Sequence, residues 1–404
     1  MTEEAPLPSE RRARLIARVR ETGSARVSDL SRVLGVTPVT VRRDLALLVG
    51  EGVLEKVHGG ARIPARDTGL GARVPARGTG LGAHTGASTG IVQPDTAPSG
   101  GTDQLTIGMV VPSIDYYWPE VIRGARDAAH GAARLILRGA SYEVDQVRRQ
   151  VAALVGDDGG PGVDGLLVAP PVDGPEAADL GEWLAGLNLP VVLMERRLAT
   201  GPYREPLESV ATDHALGSGM ATRHIAERGH RRVGLVTSRT SPTSAAVRRG
   251  FLAVADELGL DVVLDLETVP LFDADWADEA ASVLDRCAGA GATALLVHSD
   301  REAISLVEQA QERGMRVPAD LAVVAYDDEV AGLADPPLTA VRPPKAAIGA
   351  GALELLTRRL AARADAAAAR DSDGGDAVTG ADRPVHRIEL SPRLIVRASS
   401  ASRV

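Results

Sequence analysis

TALLVHSDREAISLVEQAQERGMRVPADLAVVAYDD, residues 293–328, decides the architecture of most of this chain. It opens on an apolar run, TALLVHS, passes through an amphipathic stretch at Arg301–Arg313, and closes on a second apolar run, LAVVAYDD. Strands this continuously apolar are buried on both faces, which calls for a parallel sheet covered by helices. The alternation extends outward from this unit. LTIGMVV, ARLILRG, VDGLLVAP, LPVVLME and RRVGLVT are further strand runs, most of them bounded by Gly, Pro or Asp. Between them lie amphipathic stretches at Tyr117–Ala132, Tyr142–Val155, Leu216–Arg228 and Ser244–Leu258. Seven or more such units exceed one open sheet, so residues 105–400 are predicted to form a two-lobed α/β body with parallel sheets. An Ala/Asp/Gly-rich gap at 361–384 is expected to be disordered or a loop insertion, and LSPRLIVRAS supplies a last strand-like run.

The first 62 residues have a different grammar: three short helices and a β-hairpin. The first helix runs from about Ser9 to Arg20, with Leu15, Ile16 and Val19 on one face. Ser28 caps a second, DLSRVLG, which ends at Gly35. Thr37 caps a third, with Pro38 at its first position, where a missing N–H costs nothing. Val41, Leu45 and Leu48 then form one buried stripe, which turns Val39, Arg43 and Ala46 outward with Thr40 and Arg42 flanking. An outward Arg on a helix held across a turn from another helix can reach guanine edges in the major groove, and Thr40 and Arg42 can reach phosphate or a thymine methyl. VLEKVHGGAR alternates and is expected to turn at Gly59-Gly60, which sets Lys56, His58 and Arg62 on a wing along the neighbouring DNA backbone.

Charge supports that division. The whole chain carries a net charge of −9, yet residues 1–62 hold 11 Arg/Lys against 8 Asp/Glu. A basic head on an acidic body is expected where one end alone meets phosphate. Between them, residues 63–104 lose all periodicity and contain nine Gly and four Pro. PARDTGLGAR at Pro64–Arg73 returns as PARGTGLGAH at Pro75–His84, a duplication that reads as flexible tether rather than solenoid. The single cysteine, Cys287, fits a reducing cytoplasm, and no run of apolar residues is long enough to span a membrane.

The segment LIARVRETGSARVSDLSRVLGVTPVTVRRDLALLVGEGVLEKVHGGA resembles the DeoR-type winged helix-turn-helix, with its marks at Leu34-Gly35-Val36, Thr40–Leu45 and His58–Ala61. The resemblance implies that Thr40, Arg42 and Arg43 lie on the recognition helix. Residues 105–400 resemble instead the LacI/GalR sensor, a type I periplasmic-binding-protein fold, most specifically from His224 to Pro344. The short hinge helix of LacI-type heads has no counterpart, because the Gly/Pro segment takes its place.

This second resemblance implies an effector between the lobes, contacted by Asp115, Tyr116 and Tyr117, by Asp213 in VATD, Asp300 in HSD and Asp327 in AYDD. Such a set suits a polyol, because carboxylates accept paired hydroxyls and an aromatic face covers a sugar ring. Asp213 and Asp300 fit helix N-caps as well, Asp327-Asp328 fits a cap or turn, and the tyrosines fit simple packing. The family places an Arg three residues before its Gly-aromatic pair. Here that pair is Gly250-Phe251, position 247 is Val, and the arginines are Arg248 and Arg249, so either the Arg has slipped by one residue or the effector differs. There is no Walker A motif, HExxH or GxSxG, and GTGLGA sits in the linker rather than between a strand and a helix. The expectation is therefore a homodimeric, cofactor-free, ligand-responsive regulator of double-stranded operator DNA. A solute-capture protein and a sugar-active enzyme on the same scaffold are the rival classes.

Overall fold

The computed structural model describes residues 104–156, 162–373 and 384–400. Within the first 62 residues it describes Leu15, Arg18, Val19, residues 24–26, Leu30, Val33, and residues 55–57 and 60–62. The chain divides into two units, Met1–Ala97 and Pro98–Val404, with the boundary inside the segment expected to be a tether.

In the first unit Leu15, Arg18 and Val19 are helical, and Leu15 and Val19 are fully buried, as is Leu30. Strands β1 (Ser24–Arg26), β2 (Glu55–Val57) and β3 (Gly60–Arg62) form an antiparallel sheet in the order β1-β3-β2. The hairpin was expected, but its register is one residue off. Val57 pairs with Gly60, so the connection is residues 58–59 and Gly60 belongs to the strand. Strand β1, only three residues long, gave no periodic signal. Thr40, Arg42, Arg43 and His58 lie outside the described residues.

The second unit alternates as predicted. β4 (Leu105–Val111), α1 (Trp118–Ala129), β5 (Ala133–Gly139), α2 (Val144–Val155), β6 (Gly165–Val168), α3 (Pro175–Ala185) and β7 (Val191–Met194) build the first lobe. A short hairpin of two-residue strands, β8 (Ala199–Thr200) with β9 (Glu205–Pro206), then leads to β10 (Ser209–Thr212). The second lobe holds α4 (His214–Glu227), β11 (Arg232–Ser238), α5 (Ser244–Glu257), β12 (Asp261–Thr268), α6 (Trp276–Ala290) and β13 (Ala294–Val297). It is completed by α7 (Asp300–Glu312), β14 (Ala322–Tyr326) and β15 (Thr339–Arg342). The chain then returns through α8 (Lys345–Asp373) to β16 (Arg387–Leu390) and ends with β17 (Arg393–Ile395).

The sheets run β16-β10-β7-β6-β4-β5 and β12-β11-β13-β14-β15-β17, parallel throughout except at the β15–β17 edge. The chain passes between lobes after β10, after β15 and between β16 and β17. β6, β13 and β14 are buried at every residue, which is why their sequences are continuously apolar. Two glycines set the helix packing. A Cβ at Gly250 would lie 2.0 Å from the Ala215 carbonyl oxygen, so α5 approaches α4 backbone to backbone while Phe251 fills the core beside it. Gly349 does the same for α8 against α1, where a Cβ would meet the Val121 carbonyl oxygen at 1.9 Å.

The expectation of disorder across 361–384 needs correction, because α8 continues through 361–373. Its low apolar periodicity concealed an Ala-rich sequence of high helix propensity. Arg359 anchors the helix on Glu208 through two 2.6 Å contacts, and Arg363 donates to Asn188 Oδ1 at 2.8 Å.

Candidate functional site

Both sheets reverse direction of growth beside their first strands, β4 and β11, and an α/β sheet offers a ligand crevice beyond the carboxyl ends of the strands at such a point. Here the carboxyl ends of the two sheets border one cavity of about 310 Å³, at the small end of ligand clefts. From the first lobe come Tyr116, Tyr117 and Trp118 after β4, Tyr142, and Arg196 after β7. His214 follows β10, Ser238 ends β11, His298 and Ser299 follow β13 with Arg301 and Glu302, and Asp327 follows β14.

The floor is a buried polar network around Glu195. Its carboxylate accepts from Tyr117 Oη at 2.5 Å, from Thr212 Oγ1 at 2.8 Å and from the Thr212 amide at 2.9 Å. His214 Nε2 stands 3.5 Å from Glu195 Oε2, and its Nδ1 is 3.2 Å from Tyr326 Oη. Burial opposes charge on Glu195, but His214, Tyr117 and Thr212 outweigh it and hold the carboxyl down at about 2. Burial, reinforced by Asp327 and Asp300, raises Tyr116 well above the ordinary phenol range, so its hydroxyl stays a donor. Burial lowers His298, whose Nε2 lies 3.9 Å from Asp327, so that imidazole is predominantly neutral.

Backbone strain gathers at this rim. Tyr116 and Glu195 both sit at φ +59°, Asp327 at +96° and Asp328 at +51°. Non-glycine residues in this region cost energy and persist only where their surroundings over-determine them. Asp300 is that surrounding for the AYDD loop. Its Oδ1 accepts from the Asp328 amide at 3.1 Å, and its Oδ2 from those of Glu329, Val330 and Ala331 at 2.6, 2.9 and 3.2 Å. Arg342 and Arg397 grip Asp328 from the other side, and Lys345 donates to the Asp327 carbonyl and pairs with Glu329.

Of the sequence-derived candidates, Tyr116, Tyr117 and Asp327 border the cavity. Asp300 does not. It is fully buried with both oxygens taken by backbone amides, and the helix cap is Ser299, which forms a capping box with Glu302. Asp213 is an N-cap, accepting from the Leu216 amide at 2.9 Å. Asp115 is exposed in the loop after β4, its amide donating to Ser113 Oγ at 2.9 Å. Arg248 faces away, ion-paired with Asp265 at 2.6 Å beside another cavity. Arg196, His214, His298 and Arg301 were not singled out from sequence, although the rule that ligands lie just past strand ends would have flagged the first three. Three lining residues present buried polar atoms without a hydrogen-bond partner among the described residues, Tyr116 Oη, Arg196 Nε and His298 Nδ1, while His214 Nε2 reaches only Glu195 Oε2 at 3.5 Å. Buried polar atoms are almost always paired, so such a cluster marks a surface shaped for a polar ligand.

In the first unit, Lys56 and Arg62 sit on facing strands of the hairpin, with Lys56 opposite Ala61 and Glu55 opposite Arg62.

A DeoR-like helix-turn-helix domain profile matches residues 11–67, and a periplasmic binding protein-like domain profile matches residues 222–400. The HTH-type transcriptional repressor PurR of Photobacterium profundum is 31% identical over 268 residues, covering 63% of this chain and 74% of that protein. The arabinose metabolism transcriptional repressor of Geobacillus stearothermophilus is 25% identical over 287 residues, covering 69% and 76%. A solved LacI family transcriptional regulator from Enterococcus faecium with bound ribose shares the fold, with TM-score 0.55 and 22% identity over 73% of this chain and 98% of its own. A repressor relative matched across most of its length, joined to a head of another type, makes this chain a member of the LacI/GalR family of transcription regulators with a DeoR-type DNA-binding domain at its N-terminus.

Proposed function

We propose that the chain is a homodimeric, cytoplasmic repressor whose hold on operator DNA is set by a small hydroxylated effector, a carbohydrate or related polyol, bound between the lobes. The observation that carries this is Asp327. Among the described residues its carboxylate accepts no hydrogen bond, and it borders the cavity 3.9 Å from His298 Nε2, beside the rings of Tyr116 and Tyr117 and the unpartnered Tyr116 Oη, Arg196 Nε and His298 Nδ1. A free carboxylate beside an aromatic face is what paired hydroxyls on a ring require. The arabinose metabolism repressor and the ribose-bound regulator support the same ligand class.

Thr40, Arg42 and Arg43 would contact operator bases and phosphates, with Lys56, His58 and Arg62 on the flanking backbone. An effector that favours one lobe closure over another shifts how protomers pack, and so the spacing their heads present to the half-sites. The chain then acts by binding rather than by turnover, with no helix among the described residues long and apolar enough to cross a membrane. Selection of genomic fragments with the purified protein, followed by release with a sugar panel, tests this directly. Recovery of one palindromic site, lost with a particular sugar, is the expected result. Uniform capture of DNA, or turnover of a sugar, overturns the reading.

A further inference from the structure

The cleft contains more cationic than anionic binding capacity, and this defines the effector more closely. Arg196 is 8% exposed, lines the cavity and lies over the Trp118 ring with its guanidinium carbon 5.9 Å from the centroid. Its Nη1 donates to its neighbour's carbonyl, Glu195 O, at 2.9 Å, and its Nε has no partner. Arg301 lines the same cavity, stacked 4.3 Å over the Tyr116 ring. Among the described residues, neither guanidinium has a carboxylate oxygen within 4.0 Å.

The acids nearby are spoken for. Glu302 takes Ser299 Oγ at 2.6 Å and the Leu271 amide at 3.0 Å, and Glu195 is consumed by Tyr117 and Thr212. Of the described acids at the cavity, Asp327 accepts no hydrogen bond, and His298 Nε2 stands 3.9 Å from its carboxylate. Taking a guanidinium out of water without a counter-charge is among the costliest arrangements a fold can keep. Stacking on aromatic faces leaves the edges of these two free to donate in pairs.

We infer that the effector is anionic: a hydroxylated small molecule whose carboxylate or phosphate is held by Arg196 and Arg301 while its hydroxyls meet Asp327. This rests on the carbohydrate reading above and narrows it from neutral sugars to sugar acids or sugar phosphates. It also accounts for the missing arginine at position 247. The cleft's guanidinium chemistry enters from β7 and α7 instead of from α5.

Two experiments on the full-length protein decide it. The first is calorimetric titration with matched sets: glucose, glucuronate and glucose 6-phosphate; galactose and galacturonate; ribose and ribose 5-phosphate. The charged member of at least one set should bind roughly ten- to a hundred-fold more tightly than its neutral partner. That preference should vanish in Arg196→Met and Arg301→Met, and the acid and phosphate arms tell the two anions apart. Equal or tighter binding of the neutral sugar refutes the anionic effector and leaves the carbohydrate reading standing. Binding by no member, charged or neutral, refutes both.

The second needs no effector. Inorganic phosphate should raise the melting temperature of the wild-type protein and not of R196M, whose own melting temperature should be unchanged or higher once the buried charge is gone. A lower melting temperature with the phosphate response intact makes Arg196 a structural residue and overturns the inference. Where R196M is destabilised, Arg301→Met on its half-buried side chain supplies the same comparison.

Discussion

Replacing Asp300 by Ala removes the acceptor for four consecutive backbone amides, residues 328–331, and touches nothing in the cavity itself. Burial and the neighbouring Asp327 push the Asp300 carboxyl up to about 7, so it is only partly ionised at neutral pH; its hydrogen bonds contribute about 0.5–3 kcal/mol each, and the four are not additive. Residues 328–330 are half-buried, so water can replace the carboxylate at their amides, whereas Ala331 is fully buried and its amide would be stranded. A local cost of ~2–4 kcal/mol follows. It should fall on the loop that holds Asp327 at φ +96°. Amide hydrogen exchange is the assay. Residues 328–331 should exchange roughly 30- to 1,000-fold faster in D300A, with β6 and α1 unchanged. Effector affinity should drop with it, because Asp327 loses its pose. Ser299→Ala, which removes the actual helix cap, should cost ~1 kcal/mol and leave that loop protected. Unchanged exchange at 328–331 together with lost effector binding would show that Asp300 meets the ligand itself, and the clamp argument would fail.

Glu195→Gln should flatten the acid limb of stability. The native carboxyl lies at about 2 against an ordinary 4.5, so its contribution is present above pH ~4.5 and lost as pH falls towards ~2; the wild type should shed ~3 kcal/mol there that E195Q does not, read from urea melts across pH. Gly250→Ala pushes a Cβ to 2.0 Å from the Ala215 carbonyl oxygen and should cost ~2–3 kcal/mol in the second lobe, seen as an early melting step; a wild-type melt would contradict the backbone contact. In the head, Arg43→Ala should cost ~1–3 kcal/mol at the operator and relax preference at one position, whereas Lys56→Ala should weaken all sequences alike and lower the salt slope by about one unit. Wild-type affinity for both across a salt series would remove the winged-helix roles.

The strands were legible because burial on both faces writes itself into a run of apolar residues. LTIGMVV and LAVVAYDD could be little else, and their helices began within three residues of the predicted starts. Where one of those conditions lapses, the reading fails. β16 carries RIEL at the edge of the first sheet with a half-exposed face, and β12 carries DVVLDLET, whose alternating acids mask its place at an edge of the second sheet. The end of α8 failed for the opposite reason, since a helix built on Ala needs no apolar stripe to persist.

The site was half legible, and the division has a physical cause. Residue type and a family pattern point to Asp300, Asp213 and Asp327 alike, because all three are acids just past a strand. Only geometry separates the one whose oxygens are free from the one that caps a helix and the one that ties down a loop. The arginines show the reverse. Among so many arginines the buried Arg196 does not stand out in sequence, and its significance lies in what it lacks among the described residues, a carboxylate oxygen within 4.0 Å. An arginine's sequence neighbours say nothing of its spatial ones, so Arg248 drew notice beside Gly250-Phe251 while its ion pair with Asp265 leaves it outside the cleft. Among the described residues lining the cavity, the Arg196 and Arg301 guanidiniums have no ion-pair partner within 4.0 Å and Asp327 faces only His298, which is why the proposed effector is anionic and hydroxylated.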